Sequence, residues 1–220
     1  MASFAEVCAV QPPGRESRLR EQAYTDLTEL TDAAYEALEP HLDMPFALFG
    51  HSMGALLAFE FARRVRRADG PQPLRLLISA HRAPQLPSPH PPITHLPDAE
   101  FVTEVRQRYG GVPDEVLAHA ELMALLIPCL RADMALIEGY RCADESPLDC
   151  PVSAYGGLDD AEATETELAS WQTQTSGAFR IERFPGTHFY VRSMRTELLR
   201  AVRRDLAEVV EPVVSPIRPG

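Results

Sequence analysis

A serine bracketed by glycines, Gly50-His51-Ser52-Met53-Gly54, stands between an apolar run, Phe46-Ala47-Leu48-Phe49, and a segment of helical apolar spacing that begins at Ala55. Gly-x-Ser-x-Gly between a strand and a helix is the sequence form of a sharp turn that offers a serine hydroxyl as a nucleophile. Both glycines are expected because a Cβ at either one would crowd the backbone. The helix that follows points its first amides at whatever the hydroxyl attacks.

Two further loops carry residues that could activate such a serine. Cys150-Pro151-Val152-Ser153-Ala154-Tyr155 reads as a strand and runs into Gly156-Gly157-Leu158-Asp159-Asp160. Phe179-Arg180-Ile181-Glu182-Arg183-Phe184 alternates at strand period and ends in Pro185-Gly186-Thr187-His188. Serine, acid and histidine in this chain order match an α/β-hydrolase, where histidine takes the serine's proton and the acid orients the imidazole. Asp159 and Asp160 both stand in the acid's loop.

The elements that must position these loops alternate between strands and helices, as a mostly parallel sheet flanked by helices requires. A short strand is expected near Glu6 to Val10, then a turn at Pro12-Pro13-Gly14. Leu27, Leu30, Ala34 and Leu38 mark a helix over Thr25 to Leu38. The helix after Ser52 buries Leu56, Phe59 and Ala62 and ends in Arg63-Arg64-Val65-Arg66-Arg67, which reads as a solvated helix end or as a docking patch. Leu74 to Ala80 is an apolar strand. The proline-rich stretch from Pro84 to Pro97 cannot be helix or central sheet.

Helices are then expected over Asp98 to Tyr109 and over Asp114 to Glu138, the second broken or kinked at Pro128. Leu122, Leu125, Leu126, Leu130 and Ile137 form its apolar stripe. Residues 84–148 therefore read as a helical lid inserted over the serine turn, or as one more packed helical layer. A helix from Ala161 to Thr173, a last helix from Val191 to Val210 and a frayed tail from Glu211 complete the chain.

At 220 residues the chain is a single domain with that insertion, long enough to bury a sizeable core. Its hydrophobic fraction of 45% and charged fraction of 24% are those of an ordinary globular protein. A net charge of −11 argues against nucleic acid as a partner. No apolar run is long enough to span a membrane and no secretory signal is seen, so the cytoplasm is expected. Cys8, Cys129, Cys142 and Cys150 make no Cys-x-x-Cys pair and read as free thiols, mostly in the core. No metal or cofactor is expected, and a monomer is the simplest assembly.

Taken together, Pro13-Gly14-Arg15-Glu16, Pro45 through Gly54, Leu130-Arg131-Ala132-Asp133 and Gly186-Thr187-His188-Phe189 resemble the type II thioesterases of polyketide synthases and nonribosomal peptide synthetases. The resemblance runs from about Val7 to Leu206. It implies an α/β-hydrolase fold with a helical lid. It also implies hydrolysis of acyl thioesters on the phosphopantetheine arm of acyl or peptidyl carrier proteins. The catalytic residues it implies are Ser52, Asp160 and His188, with Asp159 as the alternative acid and the Met53 amide as an oxyanion donor. Arg15, Arg18 and Arg63 are candidates for admitting the arm and meeting an acidic carrier.

Two departures stand out. Thr187 replaces the second glycine of the family's Gly-Gly-His. The family's first apolar strand and its proline-His-Ala-Gly-Gly oxyanion loop have no counterpart before Met1-Ala2-Ser3-Phe4, so the first strand is expected to be missing and the natural start to lie upstream. A generic carboxylester hydrolase would use the same triad, and a non-catalytic carrier-binding module is the reading from a different class.

Overall fold

Four short strands form one parallel sheet: β1 (Leu48–His51), β2 (Leu76–Ser79), β3 (Val152–Gly157) and β4 (Phe179–Phe184), in the order β1-β2-β3-β4. The computed structural model that shows them describes residues 5–111 and 113–214. The register aligns Gly50 with Ile78, His51 with Ser79 and Ser79 with Tyr155. Parallel strands need crossovers, and the chain supplies helices for each. The α-helices are α1 (Leu27–Leu38), α2 (Met53–Arg67), α3 (Asp98–Tyr109), α4 (Asp114–Leu117), α5 (Ala120–Gly139), α6 (Glu165–Ala169), α7 (Tyr190–Ser193) and α8 (Arg195–Val214), of which α2 to α6 lie in the crossovers.

Strand side chains alternate between two apolar layers, as a sheet covered on both faces demands. Leu76, Ile78, Val152 and Ala154 pack with Ala55, Phe59 and Ala62 of α2 and with Leu168 and Trp171. Leu77, Tyr155 and Phe184 face the other way, onto Tyr190 and onto Leu198, Ala201, Val202 and Leu206 of α8. Helix α1 starts where the Asp26 carboxylate accepts the Thr28 and Glu29 amides, and its Tyr35 packs on Phe61 and Val65 of α2. Helix α5 reaches the same layer through Leu136, which joins Leu27, Leu30 and Leu56.

Several expected elements fall elsewhere. Residues 6–10 form no strand: no described strand pairs with them, and Val7 is 71% exposed. Strand β1 runs on through Gly50 to His51 rather than stopping at Phe49. Pro128 lies inside an unbroken α5, on its exposed side, and the break between helices falls at Ala118–His119 instead. Helix α6 begins at Glu165, not Ala161, because the Glu167 carboxylate accepts the Thr164 amide and hydroxyl while Asp160 captures the Glu162 amide. The last helix is divided at Met194 into α7 and α8, and α8 carries Glu211 to Val214, which the sequence places in a frayed tail; residues 215–220 of that tail lie outside the described residues.

All four cysteines are free thiols, but only Cys150 is buried; Cys8 is exposed and Cys129 and Cys142 are half-buried. Among the described residues no helix is long and apolar enough to cross a membrane, and no group of three metal-binding side chains assembles.

Candidate active site

Every strand of the parallel sheet ends on the same edge, and the loops leaving those ends carry the predicted residues. Ser52 follows β1 directly. It holds φ 55° and ψ −124°, a conformation that costs a side-chain-bearing residue about 1–3 kcal/mol. Two backbone bonds stabilise it: Ser52 N–H donates to Ser79 O at 2.8 Å, and Ala55 N–H donates to Ser52 O at 2.8 Å. Gly50 makes the turn possible, since a Cβ there would lie 2.0 Å from Gly54 O. Gly54 is different, and the expectation of crowding fails for it: a Cβ would meet nothing within 4 Å.

His188, four residues past β4, bridges the other two loops. Its Nε2 lies 2.9 Å from Ser52 Oγ and its Nδ1 lies 3.0 Å from Asp160 Oδ2. A carboxylate only accepts, so Nδ1–H donates to Asp160 and Nε2 of the neutral ring accepts the Ser52 hydroxyl. Asp160 Oδ1 accepts the Glu162 N–H at 3.0 Å, which fixes the carboxylate plane. The Asp160 and His188 side chains are 1% and 3% exposed. The choice between neighbouring aspartates follows from backbone direction. Asp159 is exposed, its amide bound to Gly186 O, while Asp160 turns inward. Thr187 is exposed, and the positive φ of the loop, 117°, falls on Gly186, so no glycine is required where the chain has threonine. Met53 opens α2, where a first-turn amide has no carbonyl one turn earlier to accept it.

Around this chain of three stand residues that spacing did not single out. His51 Nδ1 lies 2.9 Å from Ser79 Oγ, which lies 2.7 Å from the Tyr190 hydroxyl. The His51 ring sits 5.3 Å from the His188 ring, and its Nε2 is buried without a partner. Burial, with His188 next in effect, pushes the His51 imidazole down to about 4. The Tyr109 ring meets His188 edge-on at 5.2 Å, and burial pushes its phenol up to about 12. Only His51 lay inside a motif. The others come together through pairings that no local pattern records.

A cavity of about 570 Å³ opens over Ser52 and His188. Its walls include Leu56, Tyr109, Met134, Ile137, His81 and the proline-rich stretch from Pro84 to Pro92.

The arginines considered for a docking role are mostly engaged. Arg63 is buried and paired with Glu60 at 3.0 Å and Glu145 at 3.2 Å. Arg64, Arg66 and Arg67 also hold carboxylates, while Arg67 stays 40% exposed. Arg18 pairs with Glu21. Arg15 pairs with Asp133, joining the Pro-Gly-Arg-Glu and Leu-Arg-Ala-Asp motifs, and burial pushes the Asp133 carboxyl up to about 6 against the pull of Arg15.

The chain as a whole is similar to known proteins. The thioesterase domain family matches residues 1–206. The gramicidin S biosynthesis protein GrsT of Aneurinibacillus migulanus is 37% identical over 209 residues, 95% of this chain and 81% of that protein. The solved structure of RedJ, a thioesterase of the prodiginine biosynthetic pathway in Streptomyces coelicolor, superposes with a TM-score of 0.81 and 38% identity, covering 88% of this chain and 76% of that one. YbtT, a type II thioesterase of the yersiniabactin NRPS/PKS pathway, gives 0.79 and 30% identity over 94% of this chain and 82% of its own.

Proposed function

The chain belongs to the thioesterase domain family of α/β-hydrolases, and on that premise we propose that it hydrolyses acyl groups held as thioesters on the phosphopantetheine arm of acyl or peptidyl carrier proteins. It would clear misprimed units from a polyketide or nonribosomal peptide synthase in the cytoplasm, working as a monomer without cofactor or metal. The observation that carries this reading is the continuous hydrogen-bonded path Ser52–His188–Asp160, at 2.9 and 3.0 Å, opening on a cavity that can take an acyl chain. The pathway roles of GrsT, RedJ and YbtT support the choice of carrier-bound substrate.

In this mechanism His188 Nε2 accepts the Ser52 proton as Oγ attacks the thioester carbonyl. The Met53 N–H donates to the oxygen as it gains charge. Asp160 holds the imidazole in the tautomer with Nδ1–H and stabilises the imidazolium. His188 then returns the proton to the departing thiolate, a better leaving group than an amine because a thiol's pKa is about 8.5. A water deprotonated by His188 then attacks the acyl-serine, and His188 passes that proton to Ser52 Oγ as the acyl–Oγ bond breaks and the acid leaves. Residues 84–148 act as the lid. The support is positional, since Pro84 to Pro92 and Met134 and Ile137 of α5 wall the cavity over Ser52.

Mass spectrometry of a propionyl-loaded carrier protein tests this reading, with Ser52→Ala as control. Serine-dependent loss of the acyl mass, faster than cleavage of a matched oxygen ester, is expected. An acyl-carrier left intact, or an ester cleaved faster than the thioester, would overturn it.

A further inference from the structure

Three of the four strand ends supply the proposed catalytic groups: Ser52 after β1, Asp160 after β3 and His188 after β4. The loop after β2 belongs to the same edge, where ligands of open parallel sheets bind. It carries His81, which lines the cavity together with Ser52 and His188.

The chain invests strain in this loop. Ala80 holds φ 51°, a left-handed conformation that alanine rarely adopts, although its side chain is buried and its amide still bonds Tyr155 O at 2.9 Å. The backbone beyond it is pinned, because the Trp171 Nε1–H donates to His81 O at 2.8 Å. The ring is oriented as well. His81 Nδ1 lies 2.7 Å from Arg82 O, and a carbonyl oxygen can only accept. Nδ1 therefore carries the proton, and Nε2 presents a lone pair. His51 Nε2 is buried without a partner, whereas His81 is only half-buried and lines the cavity. Burial also pushes the His81 imidazole down to about 4, so the ring stays neutral at physiological pH.

We propose that His81 Nε2 is a hydrogen-bond acceptor within the active-site cavity that selects thioesters carrying a neutral N–H or O–H donor close to the reacting carbonyl. The inference rests on the thioesterase reading above. A neutral acceptor suits an amide N–H or a hydroxyl. Two parts of a carrier-bound thioester could supply one: the amide of the pantetheine arm and a hydroxyl on the acyl chain.

The test crosses four small thioesters against wild type, His81→Phe and His81→Gln. Butyryl and β-hydroxybutyryl groups are each placed on N-acetylcysteamine and on its ketone analogue, in which a methylene replaces the N–H. Phenylalanine keeps a ring but removes the acceptor, and glutamine keeps an acceptor. Losing one neutral hydrogen bond should lower kcat/KM by about 3- to 10-fold. That loss should be confined to donor-bearing substrates and restored at least in part by His81→Gln.

A loss only with N-acetylcysteamine assigns the donor to the arm, and a loss only with the β-hydroxy chain assigns it to the acyl group. An equal loss on all four substrates, or no loss on any, overturns the proposal. Should His81→Phe fail to fold, His81→Leu and a comparison of wild-type KM across the four substrates read the same selectivity. Absence of Ser52-dependent turnover by the wild type on every thioester would instead refute the thioesterase reading.

Discussion

The hydroxyls of Ser79 and Tyr190 lie 2.7 Å apart in the interior, joining the end of β2 to the helix that follows His188. Ser79 holds the serine turn in two ways. Its carbonyl accepts the Ser52 amide, and its hydroxyl lies 2.9 Å from His51 Nδ1. The path from Tyr190 through Ser79 to His51 thus ties the histidine loop to the nucleophile loop without involving either reacting atom. Ser79→Ala strands two buried polar groups and should destabilise the fold by about 1–3 kcal/mol. Tyr190→Phe removes one bond but leaves Ser79 its contact with His51, and should cost less. Because both variants cut the same path, the double variant should cost less than their sum, which a double-mutant cycle of urea midpoints measures. Strict additivity would mean that the two hydroxyls act independently.

The two glycines of the serine pentapeptide should respond in opposite directions. Gly50→Ala puts a Cβ 2.0 Å from Gly54 O and 2.6 Å from Ala55 N, an overlap that only a backbone shift in the turn carrying Ser52 can relieve. The expected result is loss of Ser52 reactivity and destabilisation of about 3 kcal/mol or more. At Gly54 the space is open and α2 is already helical, so Gly54→Ala should stabilise by up to about 1 kcal/mol. Thermal melting of both variants checks the sign. A Gly54→Ala protein that melts as early as Gly50→Ala would contradict the geometry.

Stability should fall as the solution is acidified, and the histidines set part of the slope. His51 and His81 are held neutral by burial down to about pH 4, whereas both bind a proton below about 6.5 in the unfolded chain. Between those limits the unfolded state carries more protons. Each histidine then removes up to about 1.4 kcal/mol per pH unit as pH drops, and its stabilisation is complete above about 6.5.

Asp133 opposes them. Its carboxyl is raised from 3.8 to about 6, so the folded state holds the extra proton between those values and stability there rises as pH falls. Urea midpoints from pH 4 to 7 should show a shallower acid slope for His51→Gln and His81→Gln and a steeper one for Asp133→Asn. Parallel slopes for all four proteins would show that these groups titrate alike in both states.

How far the sequence reaches depends on whether a feature is local. The pentapeptide, each of the three loops, and the limits of α3 and β4 are carried by residues close together in the chain. For α3, Pro97 and Gly110 punctuate both ends. The choice of Asp160 over Asp159 needed the direction of the backbone after β3. A short strand is expected near Glu6 to Val10, but so short a run carries no sign of its partner, and none of the described strands pairs there. The polar path through Ser79 and the cavity wall at His81 join segments 28 to 111 positions apart. Neither residue looks unusual in its own neighbourhood.

Arg63 shows the same limit in a residue whose surroundings misled. Four arginines in five positions at a helix end resemble a solvated face, yet the Arg63 side chain is 1% exposed. Its guanidinium bonds Glu60 Oε1 at 3.0 Å and Ala143 O at 2.7 Å, and lies 5.1 Å from the centre of the Phe59 ring. Tyr140 O–H donates to the same Glu60 oxygen at 2.8 Å. The arginine therefore fastens the chain after α5 to α2, about three turns beyond the serine elbow. Arg63→Met removes the cation but leaves Glu60 buried beside an apolar neighbour. It should cost about 3–5 kcal/mol. Arg67 reaches the same two carboxylates from a side chain that is 40% exposed, and Arg67→Ala should cost about 1 kcal/mol or less. Chemical denaturation of the two variants separates a structural clamp from a docking surface. The clamp predicts a large loss of stability at Arg63 alone, while a docking role would leave both midpoints in place and raise KM for carrier-bound substrates.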